Sequence, residues 1–239
     1  MFLLSDTTVV TSASDLSSAS TCEFGFARQL DVKLGRAAGV EVEPDPMLVR
    51  AGSLGGEHEL RWLERYRAEG GVVEVERPES MSPEHLRARA AETVAAFEAG
   101  ASVVFQATFF DESDPSAPFL GFADFIVRQP DGRYRVQDTK LARSVKVTAL
   151  LQLAAYHEQL TRLGVPTDDI VEVILGTDER SEHNVHEILP VYRNRRARIL
   201  EIVASRLADT RAVEWGDARY AIDGRCDWCS AEVVAARDL

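Results

Sequence analysis

Cysteine is scarce, three in 239 residues. That is too few for a disulfide scaffold, and an odd number fits secretion poorly. The opening MFLLSDTTVV has no basic n-region and only a very short apolar run, so it does not read as a signal peptide. No apolar stretch approaches the ~18 residues that would indicate a membrane span. These absences predict a soluble protein of a reducing cytoplasm with no membrane partner. Positive charge is also in deficit: 27 Lys and Arg stand against 39 Asp and Glu, a formal net charge of −12. Such a chain cannot coat nucleic acid or an anionic membrane with a general basic surface, although a local basic groove stays open to it. Internal repeats and low-complexity linkers are missing as well. What is present is an apolar fraction of 45%, ample for a buried core. The length suits one large domain or two small ones.

Thr8–Val10 reads as β-like. Residues 13–35 read as a helix, with Ser14 or Asp15 as N-cap and Gly35 as the stop. An acidic loop, 36–46, precedes a helix from Met47 to about Glu69, which Gly70-Gly71 ends. Val72–Glu76 alternates as a short strand. Ser82-Pro83 opens a helix to Glu98, with serine as cap and proline in the first turn. Three β-rich runs follow, Val103–Phe110, Phe119–Arg128 and Arg133–Lys140. The last two flank Gln129-Pro130-Asp131-Gly132, a hairpin signal. Further on come a helix over 146–163, strands at Ile170–Leu175 and His183–Leu189, and a long helix from Pro190 to about Thr210. The tail, 211–239, carries Cys226-Asp227-Trp228-Cys229 and a short Ala-rich helix. Helices followed by a mostly antiparallel sheet with a crossing helix predict an α/β or α+β domain.

The hairpin concentrates chemistry. Asp124 on its first strand falls opposite residues 137–139 of its second, so Asp124 and Asp138 are neighbours across the ladder. Asp138 and Lys140 are two apart on a strand and point to one face. Burying such charges among Phe122, Phe125, Ile126, Tyr134 and Val136 costs several kcal/mol each unless they pair or bind a cation. Two carboxylates suit Mg²⁺ or Mn²⁺. A lysine beside such an ion can orient water and stabilise charge on a phosphoryl group. An Asp-x-Lys triplet on a sheet face is, taken alone, also a plain structural ion pair.

Two further pieces accompany it. Leu54-Gly55-Gly56-Glu57-His58-Glu59 puts an imidazole and a carboxylate on one helix turn, a pattern that a solvated helix face would also show. It is not the zinc-protease motif, because position 62 is Trp. Gln152 and Tyr156 share a helix face at i, i+4 and can hold a phosphate or base edge, or simply mark a core boundary.

In order, Gly-x-x-His, Asp, Asp-Thr-Lys and Gln-x-x-x-Tyr resemble the RecB/AddB-type branch of the PD-(D/E)XK nucleases. The chain looks most like the stand-alone RecB-like nucleases related to the CRISPR-associated iron–sulfur exonucleases. The resemblance spans most of the sequence. It runs from Ser12–Leu16 and Cys22 through Leu54–Glu59, Val104–Thr108, Gly121–Phe125 and Val136–Ala142 to Leu151–Tyr156. It implies a restriction-endonuclease-like core, a mixed central sheet flanked by helices. The whole of 1–239 would be one nuclease domain, with a helical N-terminal part at about 13–69 and a cysteine-bearing tail at about 211–239. His58, Asp124 and Asp138 would ligate the metal, with the Thr139 carbonyl. Asp124, Asp138 and Lys140 would be catalytic. Gln152 and Tyr156 would contact the DNA strand, with Gln106 and Glu59 as additional substrate or supporting contacts. The implied activity is Mg²⁺- or Mn²⁺-dependent hydrolysis of DNA, as an exonuclease on ends or single strands, in repair, recombination or defence. A helicase domain or subunit is an implied partner. The alternative is a non-catalytic nucleic-acid-binding or helicase-accessory module with a structural iron–sulfur or zinc site.

Many members of that branch hold a 4Fe–4S cluster with one N-terminal and three C-terminal cysteines. Cys22, Cys226 and Cys229 match three of these, whereas the fourth would fall near Ala235 or Ala236, where the tail SAEVVAARDL has none. Three readings stay open: a lost cluster, a cluster or zinc ion with another ligand, or a fourth cysteine beyond residue 239. A zinc pair at His183 and His186 is a remoter option.

For substrate, Arg133, Arg135, Lys140, Arg143 and Lys146 surround the hairpin, and Arg193, Arg195, Arg196 and Arg198 cluster on the long helix. Either group could track a phosphate backbone. Phe109, Phe110, Tyr156 and Trp62 are candidate stacking aromatics unless the core claims them.

Overall fold

The computed structural model describes residues 1–41, 43–222 and 226–229. The Ala-rich helix expected in the tail lies outside them. The chain forms two compact units: residues 1–43, 113–118 and 193–239, and residues 44–112 and 119–192. Among the described residues, no helix is long and apolar enough to cross a membrane.

The first unit begins with a hairpin, β1 (Phe2–Ser5) and β2 (Thr8–Ser12), followed by α1 (Ala13–Thr21) and α2 (Glu23–Lys33). The single helix expected over 13–35 is thus two. Ser12 rather than Ser14 or Asp15 caps α1, in a capping box with Asp15. Cys22 breaks the run with extended backbone (φ −159°, ψ 111°), and its sulfur accepts the Gly25 amide to cap α2. Gly35 has φ +71°, the left-handed conformation that terminates a helix. The unit is tied together by a fully buried ion pair. Arg206 donates to Asp31 Oδ1 at 2.8 and 3.0 Å, and Asp31 Oδ2 accepts the Val213 amide at 2.7 Å.

The second unit carries the sheet. Its elements are α3 (Pro46–Glu69), β3 (Val72–Glu74), α4 (Pro83–Glu98), β4 (Val103–Asp111), β5 (Phe119–Arg128), β6 (Tyr134–Lys140), α5 (Val147–Arg162), β7 (Ile170–Leu175) and β8 (Arg180–Asn184). α6 (Val185–Ala208) leaves this unit after Tyr192. Asp45 and Ser82 cap α3 and α4, each followed by proline at the first helical position. The strands run β3-β4-β5-β6-β7-β8, with β3–β4 and β6–β7 parallel and the other pairs antiparallel. The sheet is therefore mixed and mostly antiparallel, as expected, with α5 the crossing helix that returns the chain parallel to β6. The expected strand at His183–Leu189 ends at Asn184, and the last helix starts at Val185 with Pro190 inside it. His183 and His186 accordingly sit on different elements. One core cluster joins α3 to the sheet: Trp62, Leu63 and Tyr66 pack on Val103, Phe125 and Ile174.

The Arg206–Asp31 pair generates a stability prediction. Asp31→Ala would strand a buried guanidinium and the Val213 amide, at a cost of about 3–5 kcal/mol. Urea unfolding of the purified chain would read this, and a loss below 1 kcal/mol would show the pair to be dispensable.

Candidate active site

β5 and β6 meet at the expected turn. Gly132 (φ +88°) donates to the Gln129 carbonyl at 2.9 Å, and Gln129 donates to Arg133 at 2.7 Å. The register pairs Arg128 with Tyr134 and Phe125 with Gln137, so one step further sets Asp124 against Asp138. The Thr139 amide and hydroxyl both donate to Asp124 Oδ2, at 3.1 and 3.2 Å. Sequence reasoning assigned Thr139 only its carbonyl; here its two donors fix the Asp124 carboxylate. Lys140 lies on the same face as Asp138, with Nζ 2.8 Å from Oδ1 and 2.6 Å from Oδ2.

Burial makes this cluster electrostatically tense. The Asp138 carboxyl is pushed up to about 8, first by burial and then by the Asp124 charge, against the pull of Lys140. Burial acts against the Lys140 ammonium, yet Asp138 and Asp124 outweigh it and hold its pKa above the ordinary value. Glu59 on α3 is raised by burial and by Asp124, which brings it into the same field. Tyr156 is raised by burial and by Asp138 and Asp124 in turn. Its ring stacks on Phe109, with centroids 6.0 Å apart. Gly121 makes room for it, since a Cβ there would lie 2.6 Å from the tyrosine ring.

Gln106 carries an unusual backbone. On either side of it β4 pairs Phe105 with Phe125 and Ala107 with Ala123, but the intervening pair, Gln106 and Asp124, is missing from the ladder. Gln106 has φ +55° and is buried, and its amide donates to Glu59. A non-glycine residue in the left-handed region costs of order 1–3 kcal/mol and concentrates at functional sites. No periodicity in the sequence signals this.

His58, also on α3, is fully buried, and its Nε2 has no hydrogen-bond partner among the described residues. Its Nδ1 lies 3.0 Å from Arg61 and 3.9 Å from Asp178. The structure thus brings Asp124, Asp138, Lys140, Thr139, Glu59, Gln106 and Tyr156 into one neighbourhood. Gln152 lies half-buried on α5, one turn before Tyr156. The ligand atoms of His58, Asp124 and Asp138 do not gather within 4.8 Å of one another. Among the described residues only Cys22, Cys226 and Cys229 form such a trio. The donor chemistry nevertheless suits a divalent cation. Two carboxylates oppose each other in a buried setting, one of them clinging to a proton, and a buried imidazole nitrogen lacks a partner.

In the first unit, Cys229 Sγ lies 3.5 Å from that of Cys22 and 3.1 Å from that of Cys226. Three sulfurs so placed are compatible with zinc or an iron–sulfur cluster.

The basic and aromatic candidates fare differently. Arg135 is drawn into Asp168, Glu172 and Glu182, and Arg133 into Asp131, Asp168 and Asp169. Arg198 pairs with Glu23, and Arg196 donates to the Ala117 carbonyl. Arg143 and Lys146 remain exposed. The core takes Trp62, Phe109 and Tyr156. Residues that the sequence reading passed over gather beside His58. Arg65 and Arg180 both lie over the Trp62 ring, at 4.4 and 4.7 Å, and Arg65 pairs with Asp178 at 2.7 Å.

A mixed sheet with helices against it, whose central strands present two carboxylates and a lysine, is the frame of a restriction-endonuclease-like fold. Residues 10–234 match the family model of the PD-(D/E)XK nuclease superfamily, and the chain belongs to that superfamily. Its nucleases use divalent metals. No curated protein matches the chain.

The raised Asp138 carboxyl fixes a pH dependence. Its pKa rises from 3.8 to about 8 on folding, so between those values the folded protein holds a proton that the unfolded chain has lost. Metal-free stability should therefore fall as pH climbs through that window, with a slope from this group of up to about one proton. Asp138→Asn should flatten the fall in urea titrations run with EDTA. An unchanged slope would contradict it.

Proposed function

We propose that the chain is a metal-dependent deoxyribonuclease of the RecB-like branch, acting as an exonuclease on DNA ends or single strands. The observation that carries this reading is the buried Asp124–Asp138–Lys140 cluster on β5 and β6. A Mg²⁺ or Mn²⁺ ion held by His58, Asp124, Asp138 and the Thr139 carbonyl would supply Lewis acidity at the phosphodiester and an activated water. The Thr139 amide and hydroxyl keep Asp124 in place. Lys140, kept charged by its carboxylates, stabilises negative charge as it grows on the phosphoryl oxygens. Gln106 holds Glu59 beside the cluster, where the pair orients substrate or water. Gln152, half-buried on α5, would contact the DNA strand, while Tyr156, which the sequence pattern paired with it, is packed behind it against Phe109. The setting that fits is cytoplasmic DNA repair, recombination or defence, with a helicase domain or subunit as partner. In the first unit the three cysteines hold a zinc ion or an iron–sulfur cluster, with the missing fourth position filled by another ligand.

The test is hydrolysis of labelled single- and double-stranded DNA, linear and circular, with Mg²⁺ or Mn²⁺. Lys140→Ala should slow cleavage about 10²–10³-fold, and Asp124→Ala and EDTA should abolish it. Circular DNA should survive. Full activity in both variants would sink the assignment. Elemental analysis of the purified protein should find zinc or iron, lost in Cys22→Ser; a metal-free chain would remove the cysteine site.

A further inference from the structure

We infer that Cys22, Cys226 and Cys229 hold a single tetrahedral zinc ion rather than a four-iron cluster, and that this ion staples the α1–α2 junction to residues 226–229. It rests on the three cysteines holding a metal, as proposed above. Thiolates suit zinc and iron–sulfur clusters alike, so the spacing of the sulfurs separates them. One zinc ion binds all its thiolates itself, with Zn–S of about 2.3 Å, which sets the sulfurs of a tetrahedron about 3.8 Å apart. A four-iron cube gives each thiolate its own iron and spreads the sulfurs to about 6 Å. Here Cys229 Sγ lies 3.1 Å from that of Cys226 and 3.5 Å from that of Cys22, and all three fall within 4.8 Å of one another. One ion fits that triangle, and a cube does not.

The backbone keeps the triangle small. α2 runs directly against it: a Cβ on Gly25 would stand 2.8 Å from Cys226 Sγ. The Gly25 amide donates to Cys22 Sγ and the Cys229 amide to Cys226 Sγ, both at 3.4 Å. Amides at a helix N-terminus and inside a Cys-x-x-Cys turn favour the thiolate, which is the form that binds metal. Among the described residues no His, Asp, Glu or further Cys joins the trio. A cavity of about 270 Å³, lined by Ser17, Ser18, Thr21 and Gln29, opens on Cys22 and Cys226 and gives water access to the fourth corner. Three thiolates outweigh the charge of Zn²⁺, so the ion is a weak Lewis acid and holds structure rather than activating that water. Its position gives it a seam to close. Cys22 and Cys229 are 207 residues apart in sequence. Beside them the Phe24 amide donates to the Ala221 carbonyl at 3.2 Å, and the Ala221 amide donates to Glu23 at 3.0 Å. A metal bond across so long a loop removes much of the freedom of the unfolded chain.

The experiment purifies the full chain twice, once in air and once without oxygen with iron and sulfide supplied, and measures metal per chain. Both preparations should carry one zinc and no brown iron–sulfur absorption. X-ray absorption at the zinc edge should show about three sulfurs at about 2.3 Å and one lighter atom. Cys226→Ser should lose the zinc. Stripping the ion from the parent chain with a strong chelator should lower the melting temperature by several degrees, and Zn²⁺ should restore it. If Cys226→Ser does not fold, Co²⁺ added to the stripped parent chain reads the same site through its sulfur-to-cobalt absorption. Four irons per chain with a brown band would overturn the inference and leave a metal site at the cysteines. Zinc that leaves without moving the melting temperature would overturn the staple. A chain that takes up neither metal would remove the cysteine site altogether. DNA cleavage and its loss in Lys140→Ala are read separately, so none of these results decides the nuclease assignment.

Discussion

Two carboxylates that cannot both be comfortable underlie the candidate site. Asp138 is buried beside Asp124, and a single lysine cannot neutralise both. Everything nearby manages that tension. Thr139 donates twice to Asp124, Lys140 stays charged because both aspartates hold it so, and Glu59 is steadied by an amide from a strained Gln106. Buried like charges lower stability unless a cation arrives. A sheet that spends stability on keeping them together is organised for a ligand of opposite sign, as the use of divalent metals by this superfamily requires.

The acidity of the whole chain follows the same economy. The excess of carboxylates does not coat the surface at random, because arginines answer many of them locally. Arg133 and Arg135 serve Asp168, Asp169, Glu172 and Glu182 along the strands, and Arg206 is consumed by Asp31 in the other unit. Arginine suits these sites because its planar fork meets two oxygens at once. Runs of basic residues that look like phosphate tracks in the sequence thus spend much of their charge inside the fold.

Much of the site was legible beforehand because strand geometry is simple. An Asp-Gly turn fixes register, and register alone places Asp124 against Asp138 and puts Lys140 on the same face. Proline and glycine punctuation also located α3, α4 and α5 closely. The misreadings have physical causes. An apolar helical pattern over 13–35 hides the break at Cys22, because a side-chain sulfur capping Gly25 leaves no periodic trace. The switch from strand to helix at Val185 was hidden because Pro190, the sixth residue of that helix, reads in sequence as a helix start rather than as an interior position.

The residues by themselves determined the local elements, the two-residue periodicity that loads β5 and β6 with charge, and membership in a nuclease superfamily. Only the tertiary structure decided which groups share a field. The proximity of Glu59 to Asp124, the left-handed backbone of Gln106, and Asp178 standing opposite His58 join residues from α3, β4, β5 and the β7–β8 turn. Sequence patterns report neighbours one helical turn or one strand pair away. A parallel crossover and a packed helix bring together groups with no shared period, and burial then sets their protonation.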